Sequence, residues 1–223
     1  MSAVVQPYGQ ILDAQKHYRV LLQSTVRPGT VGQLHDVLLE VPTPLNRAAA
    51  LIALALLSTD STFYLTQDDG QAGDFLRRET LAKPAAAEQA DFLFLTNSDQ
   101  LDAVRCARSG SLAYPEQGAT LVVQITAISP APISGSLRLS LTGPGIETET
   151  AVHVLGAPET LFETLGLRNA EFPLGVDTYL TCDSLSAGPC VLGLPRTTRV
   201  RWSGSRTILT VDGRVWPQTR RRR

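Results

Sequence analysis

The 223 residues carry 43% hydrophobic and 18% charged side chains with a formal net charge of −1, enough to bury a full core as one large domain or one and a half. The longest apolar run, Ala48 to Leu57, falls well short of the roughly 20 residues a membrane-spanning helix needs, and the opening MSAVVQPYGQ has neither the basic nor the apolar region of a secretory signal. These features predict a cytoplasmic, non-membrane protein.

Three cysteines, Cys106, Cys182 and Cys190, occur without a CxxC pair, so neither a disulfide framework nor a zinc ribbon is expected. Cys182 and Cys190 can face each other across a hairpin; small core residues in a reducing compartment are the simpler expectation. The near-neutral charge hides an asymmetry. Residues 1–195 sum to −9 and residues 196–223 to +8, and the chain finishes in Arg220-Arg221-Arg222-Arg223. Such a basic arm suits a polyanion or an acidic partner. With an acidic, aromatic-poor body, nucleic acid is the weaker expectation.

In chain order, Asp13 is a fair N-cap, and Ala14, Tyr18, Leu21, Leu22 and Thr25 follow at helical spacing until Pro28-Gly29. Val31 to Glu40 reads as extended structure, a broken hairpin around His35-Asp36 being one form of it. Thr43-Pro44 signals a helix start, and Leu45 to Ser58 is apolar nearly all round, which predicts a buried helix. Phe63 to Thr66 is a short strand ended by Asp68-Asp69-Gly70, and Gln71 to Leu81 is a polar helix stopped by Lys83-Pro84. Asp91 to Leu95 fits an inner strand, after which Asn97 or Ser98 caps a helix to about Arg108, closed by Gly110. This alternation is the mark of a layered α/β domain.

The pattern changes after Gly110. Ala119 to Ile128 is the longest strand candidate; Ser136 to Thr142 and Glu147 to Leu155 follow as its expected antiparallel neighbours. Pro158 and Glu159 open a further helix with Leu161, Phe162 and Leu165 on one face. Asp177 to Cys182, Cys190 to Leu194, Thr198 to Trp202 and Thr207 to Trp216 read as strand and turn, with Asp212-Gly213 a hairpin signal. The expectation is an α/β fold with a mixed sheet and flanking helices, forming a domain over residues 1–202 with a C-terminal extension over 203–223.

No phosphate loop, dinucleotide fingerprint, HExxH, GxSxG or EF-hand loop is present. His17, His35 and His153 are scattered without ligand spacing, so no metal site is expected. The only lysines are Lys16 and Lys83, and neither placement suits a desolvated amine. Softer candidates remain. Gly143 and Gly145 flank Pro144 in a turn that can present backbone N–H groups to an anion or simply join two strands. Arg196 with Thr197 and Thr198 has the atoms to hold phosphate, or serves as an edge-strand arginine. Glu116 and Asp177 are lone carboxylates beside turns, suited to a base or to holding a turn.

Five stretches, HYRVLLQSTVRPG (His17 to Gly29), YPEQGATLVVQ (Tyr114 to Gln124), LRLSLTGPGI (Leu137 to Ile146), FPLGVD (Phe172 to Asp177) and LPRTT (Leu194 to Thr198), in this order, resemble the PhnH family, the H subunit of the bacterial carbon–phosphorus lyase core complex. The resemblance spans about residues 10–202. It implies a fold like the large domain of PLP-dependent transferases without PLP, no cofactor of its own, homodimerisation in isolation, and partnership with the other core subunits. It also implies a role in forming a ribose 1-alkylphosphonate 5-triphosphate from ATP and an alkylphosphonate. The family offers no catalytic motif to transfer. Two functions therefore stand: an accessory, non-catalytic subunit, or one that contributes Arg196, Thr197, Glu116 and Asp177 directly to nucleotide or phosphonate binding and nucleosidyl transfer.

Overall fold

A computed structural model describes residues 8–184, 187–202, 209–211 and 214–216. In chain order the elements are α1 (Leu12–Val26), β1 (Val31–Gln33), α2 (Arg47–Leu56), β2 (Thr62–Leu65), α3 (Gln71–Thr80), β3 (Lys83–Pro84), β4 (Phe92–Leu95), α4 (Leu101–Cys106), β5 (Thr120–Gln124), β6 (Ala127–Ser129), β7 (Leu137–Thr142), β8 (Thr150–Leu155), α5 (Glu159–Arg168), β9 (Asp177–Ser184), β10 (Gly188–Leu194), β11 (Arg199–Trp202), β12 (Leu209–Val211) and β13 (Arg214–Trp216).

Two sheets carry the architecture. The first has seven strands in the order β1-β10-β9-β5-β4-β2-β3. The run from β9 to β3 is parallel, while β10 and β1 are antiparallel to their neighbours, so the sheet is mixed as expected. The second sheet is antiparallel, four strands in the order β11-β7-β8-β6. Parallel strands are covered on both faces because their crossover helices lie there. Here α1, α2 and α3 cover one face with a core that includes Leu21, Leu51, Phe63, Phe75 and Leu76. On the other face Leu93, Leu121 and Val123 pack with α4, α5 and the second sheet through Val104, Leu139, Val152 and Phe162.

The continuous apolar helix is buried as its composition requires, with every residue from Ala48 to Ala53 inaccessible. Its start differs from expectation. Asn46, not Thr43, is the cap, its Oδ1 accepting Ala49 N–H at 2.7 Å, and the Thr43–Pro44 peptide is cis. The extended segment after β1 does not complete a hairpin; Arg47 holds it, donating to Asp36 Oδ1 and to the carbonyls of Val37 and Leu39.

Helix α1 is rotated from the face its apolar residues suggest. Its buried residues are Asp13, His17, Leu21 and Ser24, while Tyr18, Leu22 and Val26 are exposed. Two close approaches explain this. A Cβ on Gly193 of β10 would lie 2.6 Å from Ser24 O, and one on Gly32 of β1 would lie 2.7 Å from a Val20 methyl, so the inward face is restricted to residues that tolerate near contact. Asp13 lies inside the first turn and bonds backwards, accepting Gly9 N–H at 2.8 Å and Lys16 Nζ at 2.9 Å. The Gly9 bond, then the one from Lys16, holds its carboxyl below the ordinary value.

The expected long strand Ala119 to Ile128 is two strands. Ile125 N–H donates to Thr181 O in the first sheet at 2.9 Å, and the next residue, Thr126, donates to Leu155 O in the second at 2.9 Å. One residue step thus carries the chain from sheet to sheet. Helix α4 is also shorter than expected: Asn97 makes a turn towards Asp99 N–H and Ser98 donates to Gly156 O, so helical structure begins only at Leu101. Strands β12 and β13 pair antiparallel; the expected Asp212-Gly213 turn and the terminal arginines lie outside the described residues.

Cys182 and Cys190 are direct cross-strand partners and both are buried. Burial pushes the Cys182 thiol up to about 12. No helix among the described residues is long and apolar enough to cross a membrane.

Candidate functional site

The sequence candidates meet where β10 leaves the first sheet and β11 enters the second. Four residues, Pro195 to Thr198, make this crossing as a turn closed by Thr198 N–H donating to Pro195 O at 2.8 Å. Arg196 is at its centre, and Asp177, the first residue of β9, faces it. Arg196 N–H donates to Asp177 Oδ1 at 2.8 Å, Nη2 to Oδ2 at 2.7 Å, and Nε lies 3.3 and 3.2 Å from the two oxygens. The third nitrogen, Nη1, donates to Pro115 O at 2.7 Å and Pro173 O at 3.4 Å. All three guanidinium nitrogens are therefore engaged by the chain itself. The Arg196 side chain is only 13% exposed and that of Asp177 34%, so the pair is partly desolvated and its charge-assisted bonds are strengthened accordingly.

Glycines bring the neighbouring loops this close. A Cβ on Gly118 would sit 2.5 Å from Gly175 O and 2.8 Å from Arg196 Nη1. Gly143 has φ +134°, a conformation natural to glycine, and its Cβ would meet Thr197 O at 2.8 Å. Gly145 approaches the end of α1, where its Cβ would be 2.0 Å from Val26 O. The turn between β7 and β8 is thus wedged between the β10–β11 crossing and the first helix.

The structure therefore gathers Arg196, Asp177, Thr197, Thr198, Gly143 and Gly145 around one junction, drawn from three separate stretches of the chain up to 55 residues apart. Thr198 is buried and its Oγ1 has no hydrogen-bond partner among the described residues. Glu116 lies on a 3-10 turn, Pro115–Gln117, exposed, beside the carbonyl that holds Arg196. Neither lysine is buried: Lys16 pairs with Asp13 on the surface of α1, and Lys83 is exposed on the edge strand β3. Among the described residues no three His, Cys, Asp or Glu side chains are grouped to hold a metal ion.

Two polar features escaped the sequence reading. Asp183 at the end of β9 accepts Arg47 N–H at 2.7 Å and Ala48 N–H at 3.0 Å, so a strand residue satisfies the first turn of α2. A hydroxyl and amide cluster, Thr66, Thr96, Gln67 and Gln100, sits beyond the carboxyl ends of β2 and β4. Neither has a sequence motif; the only signal is that polar residues follow each apolar strand.

The junction and the two layers define an α/β protein whose shared loop residues are committed to joining one sheet to the other. Residues 8–201 match the family described as bacterial phosphonate metabolism protein (PhnH), and the chain belongs to that family. It is 34% identical over 196 residues to a putative C-P lyase subunit protein, HtxG, of Stutzerimonas stutzeri, covering 86% of this chain and 87% of the relative. It is 28% identical over 193 residues to the alpha-D-ribose 1-methylphosphonate 5-triphosphate synthase subunit PhnH of Rhizobium meliloti (strain 1021), covering 85% of this chain and 91% of the relative.

Proposed function

We propose that this chain is a subunit of the carbon–phosphorus lyase core complex in phosphonate catabolism, supporting ribose 1-alkylphosphonate 5-triphosphate formation as an accessory component. The observation that carries the accessory role is the engagement of Arg196. A guanidinium whose nitrogens are all bonded to Asp177, Pro115 O and Pro173 O is spent on structure before any phosphate arrives. The relatives' names, a C-P lyase subunit and a synthase subunit, support the placement in a complex.

The same proposal includes a likeness to the large domain of PLP-dependent transferases without the cofactor, a reading supported by the mixed sheet and by the exposure of Lys16 and Lys83. It includes a cytoplasmic location, consistent with three free cysteines. It also includes association through α1, as a homodimer in isolation or with partner subunits, supported by Ile11, Tyr18, Leu22 and Val26 lying exposed along one helix. The second reading, direct participation in nucleotide or phosphonate binding, draws support from the unpartnered Thr198 hydroxyl and from Glu116, exposed beside the junction.

The test is co-purification of the tagged chain from phosphate-starved cells, comparing wild type, Arg196→Ala and Glu116→Gln for partner content and for ATP-dependent adenine release with methylphosphonate. The accessory role predicts that Glu116→Gln recovers partners and releases adenine as the wild type does. It also predicts that any loss in Arg196→Ala tracks loss of folded protein. Normal partner recovery by folded variants with adenine release abolished would replace the accessory role by direct participation. Recovery of no partner by the wild type would end the complex assignment.

A further inference from the structure

The first sheet changes direction between β2 and β4. From β2 the chain crosses through α3 to β3 on one side, and from β4 it crosses through α4 to β5 on the other. The two helices lie on opposite faces, α3 packing with the α2 layer and α4 with the second sheet and α5. The loops leaving the carboxyl ends of these adjacent parallel strands therefore part, and a crevice opens at such a point in open α/β sheets. A cleft of about 420 Å³ lies there, lined by Tyr64, Thr66, Gln67, Asp99, Gln100 and Arg105 among others, within the size range of small-ligand pockets.

Its polar groups are held in a fixed orientation. Buried Thr66 Oγ1 accepts Thr96 N–H at 3.0 Å and donates to Gln100 Oε1. Gln100 Oε1 also accepts Asn97 N–H at 3.2 Å, and Gln67 Oε1 accepts Thr96 Oγ1 at 3.4 Å. With both amide oxygens occupied, the amide N–H groups of Gln67 and Gln100 have no acceptor among the described residues and are free for a ligand. Asp99 adds a carboxylate with no ion pair among the described residues, while Arg105 is paired with Asp102 at 2.8 Å. The lining is therefore net acidic, which opposes phosphate or phosphonate and suits a neutral ligand bearing hydroxyls. A carboxylate accepts two hydrogen bonds from a vicinal diol, amide donors meet ring and hydroxyl oxygens, and Tyr64 supplies an aromatic ring in the same cleft.

We propose that this cleft binds the ribosyl group of a nucleoside, with the vicinal hydroxyls on Asp99 and the oxygens on the amides of Gln67 and Gln100. The preference for a neutral diol follows from the lining; the choice of a ribosyl group rests on the proposed function. Calorimetric titration of the full chain, alone and in its purified complex, with adenosine and 2′-deoxyadenosine tests it. Adenosine is expected to bind, and 2′-deoxyadenosine, Asp99→Asn and Gln100→Leu each to weaken binding by about tenfold, the scale of a lost hydrogen bond to a charged or buried polar group. Asp99 is exposed, so its variant keeps the test valid if Gln100→Leu does not fold. Absence of adenosine binding in both preparations, or binding indifferent to Asp99→Asn and to the 2′-hydroxyl, overturns the proposal. Partner recovery is measured on the same material, so failure of the cleft reading is told apart from failure of the complex assignment.

Discussion

The junction at Arg196 and the cleft between β2 and β4 use polar residues in opposite ways. At the junction, Arg196 donates both to the Asp177 carboxylate and to surrounding carbonyls, with glycines clearing space for the approach. In the cleft, Thr66 and Thr96 hold two glutamine oxygens and leave the amide donors without an acceptor among the described residues. Engaged groups stabilise a fold; oriented groups with donors to spare suit a ligand. A guanidinium is therefore not a binding site merely because its residue type fits phosphate.

The sharpest way to break this comparison is to remove Arg196. Arg196→Ala leaves Asp177 without its partner and is expected to lower stability in urea unfolding by about 2.5 kcal/mol, under the range for breaking a fully buried pair because the Asp177 side chain is 34% exposed. Loss of less than about 0.5 kcal/mol, the level of an ordinary surface change, would make Arg196 a group held in reserve. Next is Gly143→Ala, which combines φ +134° with a contact to Thr197 O. About 2 kcal/mol is expected, within the range for backbone strain.

His17 buries a titratable ring in α1 with one of its two nitrogens engaged. It is fully buried, its Nε2 donates to His35 O at 2.8 Å, and burial holds its imidazole below the ordinary histidine value. A lowered value in the folded state means the unfolded chain takes up the proton first. Stability is then complete above about pH 6.5 and falls below it at up to about 1.4 kcal/mol per pH unit, until the folded-state value is reached. Urea midpoints at pH 7.5 and 5.5 measure this, and His17→Gln should flatten the difference.

In the cleft, Thr66→Val removes the acceptor of Thr96 N–H and should cost about 1 kcal/mol in thermal or urea unfolding. The smallest expected effect is that of Glu116→Gln, exposed and without an ion pair among the described residues, at under about 0.5 kcal/mol.

The sequence carried the local elements further than their assembly. Apolar Ala48 to Ala53 and the run Phe92 to Leu95 declare burial by composition, and both are buried apart from half-buried Phe92. Helix α1 misled because its face is chosen by the glycines opposite, Gly32 and Gly193, which are remote in sequence. The break after Gln124 has no local signal, since strand propensity continues unbroken through Ile128 and only the partner strands differ. At the site, the motif residues were found but not their state: that Arg196 is already engaged depends on carbonyls of Pro115 and Pro173, and backbone atoms leave no mark in a residue pattern. The glutamine cleft was missed because hydroxyls and amides after a strand look like any loop.

The pairing of β1 with β10 has a consequence for how the molecule is made. Val31 is opposite Leu192, and Gln33 opposite Cys190, so the sheet edge begun early in synthesis waits for residues made near the end. More than four-fifths of the chain precedes β10, the partner that edge needs, and contacts of such long separation form slowly. The late loop Pro195 to Thr198 then locks what precedes it. Nascent chains stalled with residue 180 exposed should be readily proteolysed, and chains stalled beyond residue 202 with the tunnel cleared should resist; equal sensitivity would show that the early strands settle without their late partner.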